Sequence, residues 1–211
     1  MKQSDHNQFV QYGCGWSAPK NWINFDASPT LRFERLPLIG RLYIKNAARF
    51  PGNVNYGNIV RGLPISADSC RAVYCSHVLE HLSLYEFRIA LKNTYKILMT
   101  GGTFRLVLPD LEYLIKEYIH NASPEAAIKF MQNTSLGKEV RNRKLKPFIL
   151  EWLGNSQHLW MWDYKSLEDE LKKVGFNNIR RAQFGDSSNP VFQDVENKDR
   201  WDNCLGIECQ K

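Results

Sequence analysis

Two glycines one residue apart, Gly13 and Gly15, directly follow the run Phe9-Val10-Gln11-Tyr12, and the next such run, Trp22-Ile23-Asn24-Phe25, ends on Asp26. A strand that runs into glycines lets backbone approach a bulky ligand, and an acid at the tip of the neighbouring strand can accept both hydroxyl hydrogen bonds of a ribose. A G-x-G pair by itself fits a simple turn equally well, so its weight depends on the elements that come after it in the chain. The spacing adds a second constraint. Adjacent parallel strands need a connection of about a dozen or more residues, usually carrying a helix. Here only Trp16 to Asn21, with Pro19 among them, separates Gly15 from Trp22. A turn or a single helical turn is expected there, a reduced first crossover.

The remaining elements alternate. Residues 54–59 read as a weak third strand, and Leu63-Pro64 as a break before a fourth, Ala72-Val73-Tyr74-Cys75. Ser83 with Glu86 forms a capping box, and Phe87, Ala90, Leu91, Tyr95, Leu98 and Met99 recur at helical spacing, with Gly101-Gly102 expected to close the helix. Residues 103–108 (TFRLVL) read as a strand ended by Pro109, and Asp110 as the cap of a helix through Leu111, Leu114, Ile115 and Tyr118. Ser123-Pro124 suggests another helix start. Residues 133–159 carry little periodicity and are expected to form an insertion or lid. Ser166 with Asp169 is expected to open a last helix closed by Gly175, followed by strands over 178–184 and 204–210. A helix, strand, long turn and strand at the end predict a closing antiparallel hairpin. The predicted architecture is a doubly wound, mostly parallel α/β sheet.

Composition sets the outer bounds. A chain of 211 residues, 43% hydrophobic and 24% charged, fits one domain over 1–211. The start of the chain is polar and no apolar run approaches the roughly 18 to 20 residues of a membrane span, so a cytoplasmic protein without a span is expected. Five cysteines without C-x-x-C pairs read as reduced thiols. The net charge of +6 is densest at 138–146 (KEVRNRKLK), but no nucleic-acid module accompanies it, and no nucleic-acid partner is expected.

With this order of elements in place, the sequence resembles the class I S-adenosylmethionine (SAM)-dependent methyltransferases, in particular small methyltransferase type 11-like proteins associated with surface-polysaccharide synthesis. The resemblance spans nearly the whole chain and is best over 13–26, 61–82, 101–118 and 158–184. It implies a Rossmann-like sheet and SAM as cofactor. Gly13, Cys14 and Gly15 would lie against the methionyl part and Asp26 would bind the ribose. Asn58 and Ile59 would flank the adenine, and Ser76 and His77 would line the pocket after the fourth strand. Gln11 and Ser17 stand where the family motif carries an acid and a third glycine, and Asn58 where an acid commonly meets the adenine.

His77-Val78-Leu79-Glu80-His81 also satisfies H-x-x-E-H, an inverted zinc-hydrolase motif. Two histidines four apart on a helix can hold zinc while the acid activates water, with Glu151 as a candidate third ligand. The helix signal begins only at Ser83, which places the motif in a loop and first turn, so zinc hydrolysis ranks third and no metal site is assigned. Methyl transfer instead needs a positioned acceptor and a base, for which His77, His81, Asp110 and His158 are the candidates, the last three preferred. His158 lies among Trp152, Trp160 and Trp162, a setting suited to a sugar ring. The leading expectation is O-methylation of a saccharide or glycolipid precursor, with a small-molecule or saccharide acceptor and a possible homodimer. Second is a catalytically silent SAM-fold binding protein in polysaccharide assembly.

Overall fold

A computed structural model of the chain describes residues 7–37, 49–139 and 157–211. Glu151, Trp152, most of the basic stretch at 138–146 and the middle of the expected insertion lie outside them.

Seven strands form one sheet in the order β3-β2-β1-β4-β5-β7-β6. They are β1 Gln8–Tyr12, β2 Ile23–Asp26, β3 Val54–Tyr56, β4 Cys70–Ser76, β5 Leu98–Pro109, β6 Asn177–Ala182 and β7 Cys204–Gln210. β1 to β5 pair in parallel, while β7 runs antiparallel between β5 and β6. The five described α-helices are α1 Pro29–Glu34, α2 Leu84–Ile97, α3 Leu111–His120, α4 Ala126–Asn133 and α5 Tyr164–Val174. This is the predicted mixed α/β sheet with its closing antiparallel hairpin. Among the described residues no helix is long and apolar enough to cross a membrane.

Side chains alternate between two faces along the central strands, as a pleated strand requires. Val73, Cys75, Phe104, Leu106 and Leu108 join one cluster with Phe87 and Leu91 of α2 and Leu167 and Leu171 of α5. Ala72, Tyr74 and Val107 face the other way, against Phe192, Val195 and Trp201. These three come from the segment between β6 and β7, which carries two 3-10 turns, Pro190–Asp194 and Lys198–Arg200.

Helix boundaries follow local chemistry, with two corrections. The Ser83/Glu86 capping box, the Asp110 cap and the closing Gly175, at φ +115°, are as expected. Gly101-Gly102, however, do not stop α2. It ends at Ile97, where Asp68 and Ser69 donate their N–H groups to Lys96 and Ile97 carbonyls, so a glycine cap is not required. The two glycines lie inside β5 beside a register shift. A Cβ at Gly102 would stand 2.8 Å from the carbonyl oxygens of Cys70 and Met99. α5 starts earlier than expected. Asp163 is its cap and accepts the Ser166 N–H at 2.8 Å, leaving Ser166 inside the first turn.

Arg105 on β5 is fully buried. Its guanidinium pairs with Glu196, Glu208 and Asp186, donates to the Gln183 carbonyl, and lies 4.5 Å from the Trp201 ring centre. One strand residue thus fastens the β6–β7 connection to the sheet. Removing one partner of a buried ion cluster leaves charge unpaired, which costs about 3–5 kcal/mol. Arg105→Leu is accordingly expected to lower unfolding free energy by about that amount in urea titrations. A loss below about 1 kcal/mol would show the cluster to be energetically neutral.

A second pair joins two helices. Arg88 of α2 donates two hydrogen bonds of 2.8 Å to the Glu170 carboxylate of α5. The Arg88 bonds, with Lys173 assisting and burial opposing, bring Glu170 from the usual 4.5 down to about 2. A depressed carboxylate contributes stability that is fully present above its unfolded value and lost as pH falls through its folded value. Wild type and Glu170→Gln should therefore differ in unfolding free energy above pH 4.5 and converge as pH approaches about 2.

Candidate functional site

The connection between β1 and β2 contains no helix. Ser17 N–H bonds the Cys14 carbonyl and Trp22 N–H the Pro19 carbonyl, giving two successive turns. Buried side-chain amides replace the missing helix. Gln11 donates to the Ser17 carbonyl at 2.8 Å and to Asn24 Oδ1 at 2.6 Å, and Asn24 donates to the Pro19 and Trp22 carbonyls. Gln11, the departure from the family's acid, therefore holds the shortened connection closed, and Ser17 supplies it with a carbonyl.

This connection delivers the glycines to the tip of β2. Gly13 and Gly15 both adopt positive φ, +68° and +54°, where L side chains are disfavoured. A Cβ on Gly13 would also lie 2.1 Å from Val78 Cγ2, so a side chain here would have to displace that of Val78. Asp26, 8% exposed, accepts Gly15 N–H through Oδ2 at 2.9 Å and Ser28 N–H through Oδ1 at 2.7 Å. The acid thus pins the glycine loop and the start of α1 together. A carboxylate offers about four acceptor positions, so two backbone bonds leave capacity for two hydroxyls. Burial, with the nearby Asp26 charge, pushes the Cys14 thiol up to about 12, which makes it a packing group here rather than a nucleophile.

The remaining expected cofactor residues lie on the loop after β3, at the last position of β4 and just beyond it. Asn58 Oδ1 accepts from Val60 N–H at 2.8 Å and Arg61 N–H at 3.3 Å, which shapes its own turn. Ile59 is buried in the core. The Ser76 hydroxyl and carbonyl both accept from Arg200, at 2.9 and 2.7 Å. His77, at φ +53°, directs Nε2 to the Arg200 carbonyl at 3.0 Å and places Nδ1 3.3 Å from Glu80 Oε1. Burial disfavours the His77 cation, but contacts to Cys204, Glu80 and the Arg200 carbonyl outweigh it and push the ring up to about 10. Arg200, which joins the β6–β7 connection to the tip of β4, carries no sequence signal because it sits in a polar loop without a motif. Arg105, holding the same connection, reads in sequence as an ordinary polar position of an alternating strand.

The H-x-x-E-H stretch forms a 3-10 turn, Leu79–His81, not a helix face. His77 is turned toward Arg200 and does not join His81, so the helical zinc-hydrolase arrangement is not assembled. His81 instead meets His158, with ring centres 4.9 Å apart and edge to face. The segment carrying His158 is held against the turn by Leu159 and Trp160 N–H groups, both donating to the Glu80 carbonyl. Burial lowers His158 below the usual histidine value, which favours a neutral ring. Asp110 has other partners. It caps α3 through Glu112 and Tyr113 N–H groups and pairs with Arg181 at 3.4 Å. Trp160 is 40% exposed, while Trp162 is buried and stacked on Phe87 at 4.1 Å.

No family model matches the chain. An uncharacterized protein of Saccharomyces cerevisiae is 26% identical over 152 residues, which is 68% of this chain and 17% of that protein's length. The chain thus spans only a small part of that relative. A Thermotoga maritima structure, named as a SAM-dependent methyltransferase and possible histamine N-methyltransferase, aligns over 98% of this chain and 83% of its own. Its TM-score is 0.52 and its identity 15%. A SAM-dependent methyltransferase from Methanosarcina mazei aligns over 99% of this chain and 94% of its own, with a TM-score of 0.51 and 14% identity. At these identities the likeness is one of architecture: the chain has the fold of the class I SAM-dependent methyltransferases.

Proposed function

We propose that this chain binds SAM across the C-terminal ends of β1 and β2 and transfers its methyl group to an oxygen acceptor. The observation that carries the reading is the pairing of Asp26 with a positive-φ glycine loop at the tips of adjacent parallel strands. In open α/β sheets ligands bind at that edge. Gly13 and Gly15 give backbone access to the methionyl portion, and the free acceptor positions of Asp26 serve the ribose hydroxyls. SAM supplies an electrophilic methyl carbon on a sulfonium centre.

The protein's part in such a reaction is positioning and proton removal. An acceptor oxygen must stand about 3 Å from the methyl carbon, in line with the bond that breaks. His81 lies in the turn after β4, whose Val78 packs against Gly13, and His158 abuts His81; an imidazole there can take the proton that a hydroxyl loses. Asp110, engaged as a helix cap and ion pair, serves the fold and is not part of this proposal. The half-exposed Trp160 next to His158 supports a saccharide hydroxyl as acceptor, since an indole face packs against a sugar ring.

Calorimetric titration tests the reading. SAM and S-adenosylhomocysteine should each bind at one equivalent, and Asp26→Ala should weaken binding by about 1–3 kcal/mol through lost hydrogen bonds to a charged acceptor. Folded protein that binds neither ligand at millimolar concentration would overturn the proposal, as would an Asp26→Ala variant of unchanged affinity.

A further inference from the structure

We propose that Glu80, His81 and His158 form a binding site for a divalent transition cation of the zinc type, next to the glycine loop. Glu80 is completely buried, and among the described residues neither carboxylate oxygen receives an aligned hydrogen bond. His77 Nδ1 stands 3.3 Å from Oε1, and Oε2 has no donor among the described residues. His77 faces one oxygen only, and burying a carboxylate whose other oxygen meets no donor is costly unless a further cation or donor reaches it. The neighbouring rings are placed to share a cation with it: one ligand-capable atom from each of Glu80, His81 and His158 lies within 4.8 Å of the others.

Each imidazole is held through Nδ1 by a backbone carbonyl. His81 Nδ1 lies 3.1 Å from the Gln157 carbonyl and His158 Nδ1 2.8 Å from the Thr134 carbonyl. A carbonyl oxygen only accepts, so each Nδ1 must carry the hydrogen, and in the neutral ring each Nε2 keeps a lone pair. A ligating histidine typically donates its other N–H in this way, which fixes tautomer and ring orientation. Thr134, which supports His158, is itself buried. The Glu80 backbone carbonyl, through Leu159 and Trp160 N–H groups, keeps the His158 segment in register with the turn. Both halves of the site are therefore clamped by main chain before any ion arrives.

Two imidazoles and one carboxylate suit zinc and its neighbours, whereas magnesium and calcium prefer oxygen donors throughout. Three protein ligands leave a fourth position for water or a substrate oxygen. The site stands on its geometry alone. Its use, holding the acceptor oxygen beside the cofactor in place of an imidazole base, rests on the methyltransferase reading above.

The test uses the whole chain, untagged and stripped by chelator, titrated with Co²⁺ and then Zn²⁺. One equivalent of Co²⁺ should give the visible absorption of a tetrahedral site, and Zn²⁺ should displace it. His81→Ala and His158→Ala should each weaken binding by more than about 100-fold, the upper end of what losing an outer-shell partner costs. Glu80→Gln, which keeps the shape and removes the charge, should also weaken it, while His120→Ala on α3 should not. Circular dichroism establishes that each variant is folded. Absence of stoichiometric binding, response to Mg²⁺ alone, or unchanged affinity in the His81→Ala/His158→Ala double variant would overturn the site. S-adenosylhomocysteine titrated into the same preparations separates the two proposals: its binding to protein that takes up no metal overturns only the metal site, and metal binding by protein that takes up no S-adenosylhomocysteine overturns only the methyltransferase reading.

Discussion

Two adjacent parallel strands joined without a helix set the terms for the glycine-loop edge of this sheet. The chain must turn, travel back along the sheet and turn again within a few residues, and its buried polar groups must still find partners. Gln11 and Asn24 meet that demand, each bonding carbonyls of the connection while bonding each other. The amide side chains thereby fix where Gly13 and Gly15 emerge. Asp26 then ties Gly15 to the start of α1, so that loop, strand tip and helix are held as one unit. An ionised acid at position 11 could not donate to the Ser17 carbonyl, which gives Gln11 a physical reason in a fold with so short a crossover.

A similar linkage operates on the far side of the glycine loop. The turn after β4 presses Val78 against Gly13, holds His158 through the Glu80 carbonyl, and receives Arg200 from the β6–β7 connection at Ser76. Arg105 and its carboxylates anchor that connection to the sheet. The candidate cofactor edge is thus linked to the closing hairpin by Arg200, on a connection that buried Arg105 anchors. Stability and site geometry draw on the same groups.

The fold is legible in the sequence where the determining interaction is local. The Ser83/Glu86 box, the Asp110 cap, the closing Gly175 and the alternation of 103–108 rest on residues within a few positions of one another, and the short crossover follows from counting residues. Sequence and structure part where tertiary pairing takes over. Gly101-Gly102 reads as a helix stop because glycine usually serves that purpose, but Leu98 already pairs with Cys70 as sheet. Ser166 with Asp169 fits a cap motif, although Asp163 lies upstream and its carboxylate takes the Ser166 N–H. Ser28-Pro29 carries the start signal of α1, but the helix is too short for its periodicity to stand out. His81 and His158 are each recognisable as candidates, yet nothing local relates residues so far apart, and their contact emerges only when the chain after 156 returns to the turn. The amides of the crossover show the same limit: Gln11 reads as a lost motif residue until its partners are seen.

The Gly13–Gly15 loop and Asp26 are proposed to form the cofactor site together. A crystal structure of the protein with S-adenosylhomocysteine tests it most directly. The ribose hydroxyls should lie on the Asp26 carboxylate, with the homocysteine portion over Gly13 and Gly15 and the adenine toward Asn58 and Ile59. Ligand bound elsewhere, or crystals soaked at saturating concentration that show the β1–β2 edge empty, would contradict it.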